Sequence, residues 1–179
     1  MDVKEAILKR RSIRKYKRKE VPLDLIRELI DAARLAPSGS NAQPCRYYLV
    51  RDDQTKDRLK ENRVFEQDFV YQAPAIIVCC ADPRSYGQGI KGWSEENEKR
   101  ALRDLSIASS LLVLRATELG LATCYVGWMN KDRIREVLGL PANYIVPFVI
   151  AVGYASERPK PMPRKSIDEV LLCLPGQQE

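Results

Sequence analysis

The sequence predicts an α+β domain, and three features of its patterning predict it. Segments with apolar residues at helical spacing and short strand-like runs are mixed without the strict strand–helix rhythm of a doubly wound parallel sheet. The run AIIVCCA, residues 75–81, is continuously apolar between prolines at 74 and 83, as expected of a strand buried on both faces. Residues 95–119 read as one long helix whose middle, LSIASSLLVL, is apolar or small nearly all round. Such a helix belongs at the centre of a core or at a subunit interface.

The elements follow in order. Asp2 with Glu5 resembles a capping box opening a first helix, with Val3, Ala6 and Ile7 on one face. From Asp24 onward Leu25, Ile26, Leu29, Ile30 and Ala33 recur at helical spacing. Pro37 should stop that helix, because the residue before a proline avoids the helical region. The loop PSGSNAQP, residues 37–44, leads to a short strand over residues 46–51, and residues 55–70 read as one amphipathic helix. Residues 83–94 (PRSYGQGIKGWS) have no period and read as a loop. The long helix ends at Gly120, a residue suited to the left-handed position after a helix. A strand at residues 123–128, a helix at 131–138 and a strand at 147–154 complete the pattern, with a proline-rich tail extended before Ser166.

The 179 residues suit one domain, 1–179, with a variable loop at 83–94 and a C-terminal arm at about 155–179. No run approaches the roughly 18 apolar residues of a membrane span, and the N-terminus lacks the apolar stretch of a signal peptide. The five cysteines are odd in number and form no CxxC, and histidine is absent. A disulfide framework, a zinc site and any imidazole mechanism are therefore not expected, and a reducing cytoplasm is.

Charge is localised. Lys9 to Lys19 (KRRSIRKYKRK) holds eight basic and no acidic residues, while the other 22 basic residues face 24 acidic ones. Arg10, Arg11, Ser12 and Arg14 can be read as a phosphate clamp, since guanidinium forks bind phosphate bidentately. They can equally be read as a solvated helix end, or as a nucleic-acid patch, which no accompanying motif supports. The loop Pro37, Ser38, Gly39, Ser40, Asn41 is dense in donors and turn formers. It reads either as ligand contacts or as an ordinary helix-to-strand connection. Val126 and Gly127 end a strand, and Arg164 and Lys165 follow a stiff proline stretch. Core packing and a solvated tail are their plain alternatives. No GxGxxG follows a strand, and no P-loop or GxSxG is present.

These segments stand in the order and spacing of the FMN-dependent nitroreductase family. The chain resembles its compact form from Val3 to about Leu171, through AILKRRSIRKY, LIDAARLAPSGSNAQP, APAIIVCCAD, ELGLATCYVGW and VPFVIAVGYASERPKPMPRKSIDEV. The resemblance implies a mostly antiparallel central sheet flanked by helices, in an intertwined homodimer binding two flavins between two chains. It implies that Arg10, Arg11, Ser12 and Arg14 hold the FMN phosphate and ribityl chain, with Arg164 and Lys165 beside the phosphate. The loop Pro37–Asn41 would reach the flavin of the partner subunit, Val126 and Gly127 would approach flavin N5, and Gln67 would read the pyrimidine edge. Tyr86 and Trp93 are candidate walls of the substrate pocket.

The implied activity is ping-pong transfer of hydride from NAD(P)H through FMN to a nitroaromatic, quinone or similar small acceptor. The cofactor carries the chemistry, with no metal, no catalytic side chain and no nucleic-acid or membrane partner. Enone reduction, dehalogenation, desaturation or non-enzymatic flavin binding on the same scaffold are the alternatives. Cys45 stands where many relatives carry tryptophan, which leaves the local pocket open.

Overall fold

The structure, a computed structural model, describes residues 1–87 and 94–172. Its helices are α1 (Val3–Lys9), α2 (Leu23–Arg34), α3 (Asp53–Glu61), α4 (Phe69–Gln72), α5 (Glu95–Glu118), α6 (Lys131–Leu138) and α7 (Ile167–Val170). Its strands are β1 (Cys45–Val50), β2 (Ala75–Ala81), β3 (Ala122–Val126) and β4 (Ile145–Gly153). They form one sheet in the order β1-β2-β4-β3, antiparallel at every pairing.

The apolar run of β2 takes its meaning from what covers the sheet. Ala75, Ile77, Cys79 and Ala81 face a core shared with Leu29 of α2 and Leu105 and Leu112 of α5. The intervening Ile76, Val78 and Cys80 face a second core with Leu59 of α3 and Ile134 of α6. Successive side chains of a strand point to opposite faces, so a strand with helices on both sides has no polar position to offer. Leu105 and Leu112 are fully buried, and truncating either to alanine costs about 2–5 kcal/mol.

Two sequence readings need correction. Residues 55–70 are not one helix. Asn62 caps α3, Arg63 turns at φ 48°, and Phe65 bridges to Met129 before α4 begins. The Phe65 N–H donates to the Tyr71 hydroxyl at 2.8 Å, so the intervening backbone finds partners outside a helical ladder. The apolar residues Leu59, Val64 and Val70 suit a helix face or a turn over α6 equally well. The segment 83–94 is also not wholly loop, since Pro83–Tyr86 form a 3-10 turn whose Asp82 accepts from the Arg84 N–H at 3.0 Å. Residues 88–93 lie outside the described residues. The capping expectation at Asp2 holds in half: Asp2 accepts from the Glu5 N–H at 2.7 Å, while the Glu5 carboxylate pairs with Lys9 instead. Pro147, which has no N–H for the ladder, lies within β4 where its register against β2 slips.

One non-local feature positions the basic segment. Ser12 pairs with Thr123 at β3, and Tyr16 pairs with Ala155 just after β4. The Ile13 N–H donates to the Thr123 carbonyl at 3.0 Å and the Lys17 N–H to the Tyr154 carbonyl at 2.8 Å. Tyr16 packs so closely on Gly153 that a Cβ there would lie 2.7 Å from its ring and 2.6 Å from Pro74 Cδ. The start of the chain is thus fastened beside the start of the C-terminal arm.

Candidate functional site

That fastening creates a cleft of about 580 Å³ between the end of α1 and the arm. It is lined by Arg10, Arg11, Ser12 and Arg14 on one side and Pro159, Lys160 and Arg164 on the other. Glu157 fixes the geometry at its edge, because its Oε1 accepts the N–H groups of Arg14 at 2.6 Å and Lys15 at 3.1 Å. Arg11 Nη1 donates to the carbonyls of Leu8 at 2.6 Å and Arg10 at 2.7 Å. Those bonds satisfy orphan carbonyls at the helix end and leave the rest of the guanidinium available. Among the described residues five cations and no carboxylate line the cleft. Among the described residues no carboxylate pairs with Arg10, Arg11, Arg14 or Arg164. Five like charges with only Glu157 at their edge repel one another, and a dianion such as a phosphate monoester relieves that repulsion. Lys165 does not line this cleft. Lys160 does, and it was missed because a lone lysine between prolines carries no pattern.

The loop after α2 lies elsewhere. Pro37 and Ser38 line a separate cavity of about 370 Å³ with Cys45, Tyr47 and Asp104. The two spaces share no lining residue. Gly39–Asn41 form a 3-10 turn in which Ser40 and Asn41 sit at φ 53° and 54°, and Gln43 follows at 48°. Non-glycine residues in this left-handed region cost of order 1–3 kcal/mol each and collect at functional sites. The Gly39 N–H donates to Asp104 Oδ2 at 2.8 Å, and the Tyr86 hydroxyl donates to the same oxygen at 2.7 Å. Asp104 was missed because it follows Lys99, Arg100 and Arg103 and reads as one more charge of a solvated helix face. Burial, and then the hydrogen bond to Asp104, raise the Tyr86 phenol well above its ordinary pKa, so it remains a donor. Among the described residues the buried Tyr47 Oη finds no hydrogen-bond partner, and burial raises the neighbouring Cys45 thiol.

The other candidates line neither space. Val126 is buried at the end of β3, and Gly127 is exposed after it. Gln67, half-buried, precedes α4. Trp93 lies outside the described residues. One chain therefore gathers Arg10, Arg11, Ser12, Arg14 and Arg164, and leaves Pro37–Asn41, Gln67 and Val126–Gly127 apart from them.

Comparison with known proteins agrees with this architecture. The model of the nitroreductase family matches residues 7–154. A Thermus thermophilus protein described as an NADH dehydrogenase is 32% identical, over 96% of each chain. The crystal structure of a nitroreductase family protein from Clostridium difficile 630 superposes with a TM-score of 0.81 at 29% identity, covering 96% of this chain and 98% of that one. The NADPH:FMN oxidoreductase of Vibrio harveyi, solved in complex with NAD+, superposes with a TM-score of 0.85 at 26% identity. That match covers 99% of this chain and 78% of the other.

Proposed function

The chain belongs to the nitroreductase family, and from that premise we propose that it is an FMN-dependent oxidoreductase drawing hydride from NAD(P)H and delivering it to a small electron-poor acceptor. The observation that carries this reading is the cleft of Arg10, Arg11, Arg14, Lys160 and Arg164, five cations with no carboxylate among its described lining residues. It has the charge and the donor set for the phosphate of FMN. Bound there, FMN would supply the two-electron chemistry, in a chain that has no histidine.

The chain's own task is to bind and orient. Ser12 and the guanidiniums fix the phosphate end. The Pro37–Asn41 loop, rigid and rich in donors, is suited to the ring, and Val126–Gly127 and Gln67 are proposed as further ring contacts, with Lys165 at the phosphate. Because loop and clamp do not meet in one chain, we assign the loop to the flavin of a second copy. Two exposed features support a homodimer. The helix α5 turns Ile107 and Leu111, each over a third exposed, outward beside the small Ser106 and Ser110. The arm leaves Ile167, Val170, Leu171 and Leu172 exposed. Apolar surface of this extent is costly in water and is covered cheaply by a second chain. No helix of the described residues is long and apolar enough to cross a membrane.

One open face serving donor and acceptor in turn gives ping-pong kinetics, with nitroaromatics and quinones as the acceptor class. The test is an absorbance spectrum of the purified protein with FMN, followed by anaerobic NADH and then NADPH. Flavin bands that bleach with either nucleotide and return with a nitroaromatic or quinone bear the reading out. Bands that persist with both nucleotides reduce it to flavin binding, and failure to take up FMN overturns it.

A further inference from the structure

We propose that Asp104 is a positioning residue that holds the Pro37–Asn41 loop in its left-handed conformation and joins it to Tyr86; the consequence for flavin rests on the ring-facing role assigned to that loop above. The proposal starts from an unusual choice of side chain. Asp104 lies in the middle of α5, between the core residues Ala101, Leu105 and Ala108, and is only 3% exposed. A carboxylate removed from water this far is costly unless it is hydrogen-bonded and paired. An apolar residue would pack α5 without that cost.

What converges on the carboxylate explains its presence. One oxygen, Oδ2, takes both the Gly39 N–H at 2.8 Å and the Tyr86 hydroxyl at 2.7 Å. The other, Oδ1, lies 3.7 Å from Arg103 Nε. Arg100 lies over the Tyr86 ring at 4.5 Å. Its guanidinium also reaches Gly39, where an added Cβ would meet Nη2 at 3.4 Å. Thus a backbone N–H of the loop, a phenol from the turn after β2 and two cations of α5 are organised around one buried group. The tether acts at Gly39, immediately before Ser40 and Asn41 with their positive φ values. A strained turn persists only where its surroundings over-determine it, and the Gly39–Asp104 bond is such a constraint. Tyr86 is accordingly an anchor for the loop, its hydroxyl committed to Asp104, rather than an acceptor-binding group.

The test uses the full chain, prepared free of flavin, in three variants. Asp104→Ala removes the acceptor, Asp104→Asn keeps an oxygen that can take both donors, and Tyr86→Phe removes one donor only. Amide hydrogen exchange at residues 39–43 reads the tether directly. Exchange there is expected to quicken by about tenfold or more in Asp104→Ala, as for loss of a hydrogen bond to a charged group. Tyr86→Phe should quicken it less, and Asp104→Asn should restore most of the protection. FMN and riboflavin titrations should weaken in the same order and to the same degree, because the loop serves the ring and not the phosphate. Should Asp104→Ala fail to fold, Tyr86→Phe and Asp104→Asn still decide by their order. Exchange at residues 39–43 that matches the unmodified chain in every variant overturns the proposal. So does Asp104→Asn proving as damaging as Asp104→Ala with exchange raised throughout α5, which marks a core residue only. If exchange follows the expected order but no flavin binds to the unmodified chain, the tether stands and the flavin-binding reading falls.

Discussion

Replacing Arg10 by alanine separates a phosphate clamp from a merely basic surface. Arg10 is half-buried, lines the cleft, and has no carboxylate partner among the described residues. A charge-assisted hydrogen bond of this kind contributes about 1.5–3 kcal/mol, and about 1.4 kcal/mol is tenfold in affinity. The FMN dissociation constant should therefore rise about 10- to 100-fold. Lys160 lines the same cleft but is exposed. A solvated lysine contributes at most about 1 kcal/mol, so Lys160→Ala should cost no more than about fivefold. The assay is quenching of flavin fluorescence on titration with flavin-free protein, run in parallel with FMN and with riboflavin, which lacks the phosphate. Arg10→Ala should weaken FMN and leave riboflavin and the melting temperature nearly unchanged. Rising salt should likewise erode FMN binding more than riboflavin binding. Equal loss of both ligands, or loss of neither, would refute the argument that this cleft reads phosphate.

Three further outcomes follow from other parts of the molecule. Ile107→Asp places a charge on the outward face of α5 and should shift the protein toward monomer in gel filtration, with flavin affinity falling alongside; an unchanged elution volume counts against the α5 interface. Gly153→Ala drives a Cβ into Pro74 and Tyr16 at 2.6–2.7 Å. Overpacking costs about 1–3 kcal/mol, so the melting temperature should drop by several degrees; an unchanged value would show that Tyr16 can withdraw. Burial pushes the Cys80 thiol from its ordinary value near 9 up to about 12 and raises Cys79 in the same direction. A raised acid holds its proton in the folded chain after the unfolded chain has released it. That stability is present below pH 9 and is lost as pH rises toward 12, so melting temperatures should fall across this interval, and a flat profile contradicts it.

The sequence made the sheet's centre and the helices against it legible through local pattern. The unbroken run at residues 75–81 announced a strand covered twice, and Leu25, Ile26, Leu29, Ile30 and Ala33 announced a helix face. The break between α3 and α4 was hidden, because Leu59, Val64 and Val70 satisfy both readings and the deciding partners, Met129 and Tyr71, lie outside the window. Arg10, Arg11, Ser12 and Arg14 were visible as a charge cluster. Their meeting with Arg164 depends on Ser12–Thr123 and Tyr16–Ala155, pairings across more than 100 residues that no local signal encodes. Asp104 was invisible for a related reason: one acid of the charged half of α5, it acquires its role only from the Gly39 and Tyr86 donors brought to it.

The fastening of residues 12–17 onto β3 and the chain after β4 has a bearing on biosynthesis. One wall of the anion cleft, residues 10–14, is synthesised well before the other, residues 159–164. A nascent chain that has not reached Pro159 does not contain both walls, and contacts of such sequence separation are slow to form. A prematurely terminated product that ends before Pro159 would therefore lack one wall of the proposed clamp and should retain FMN poorly.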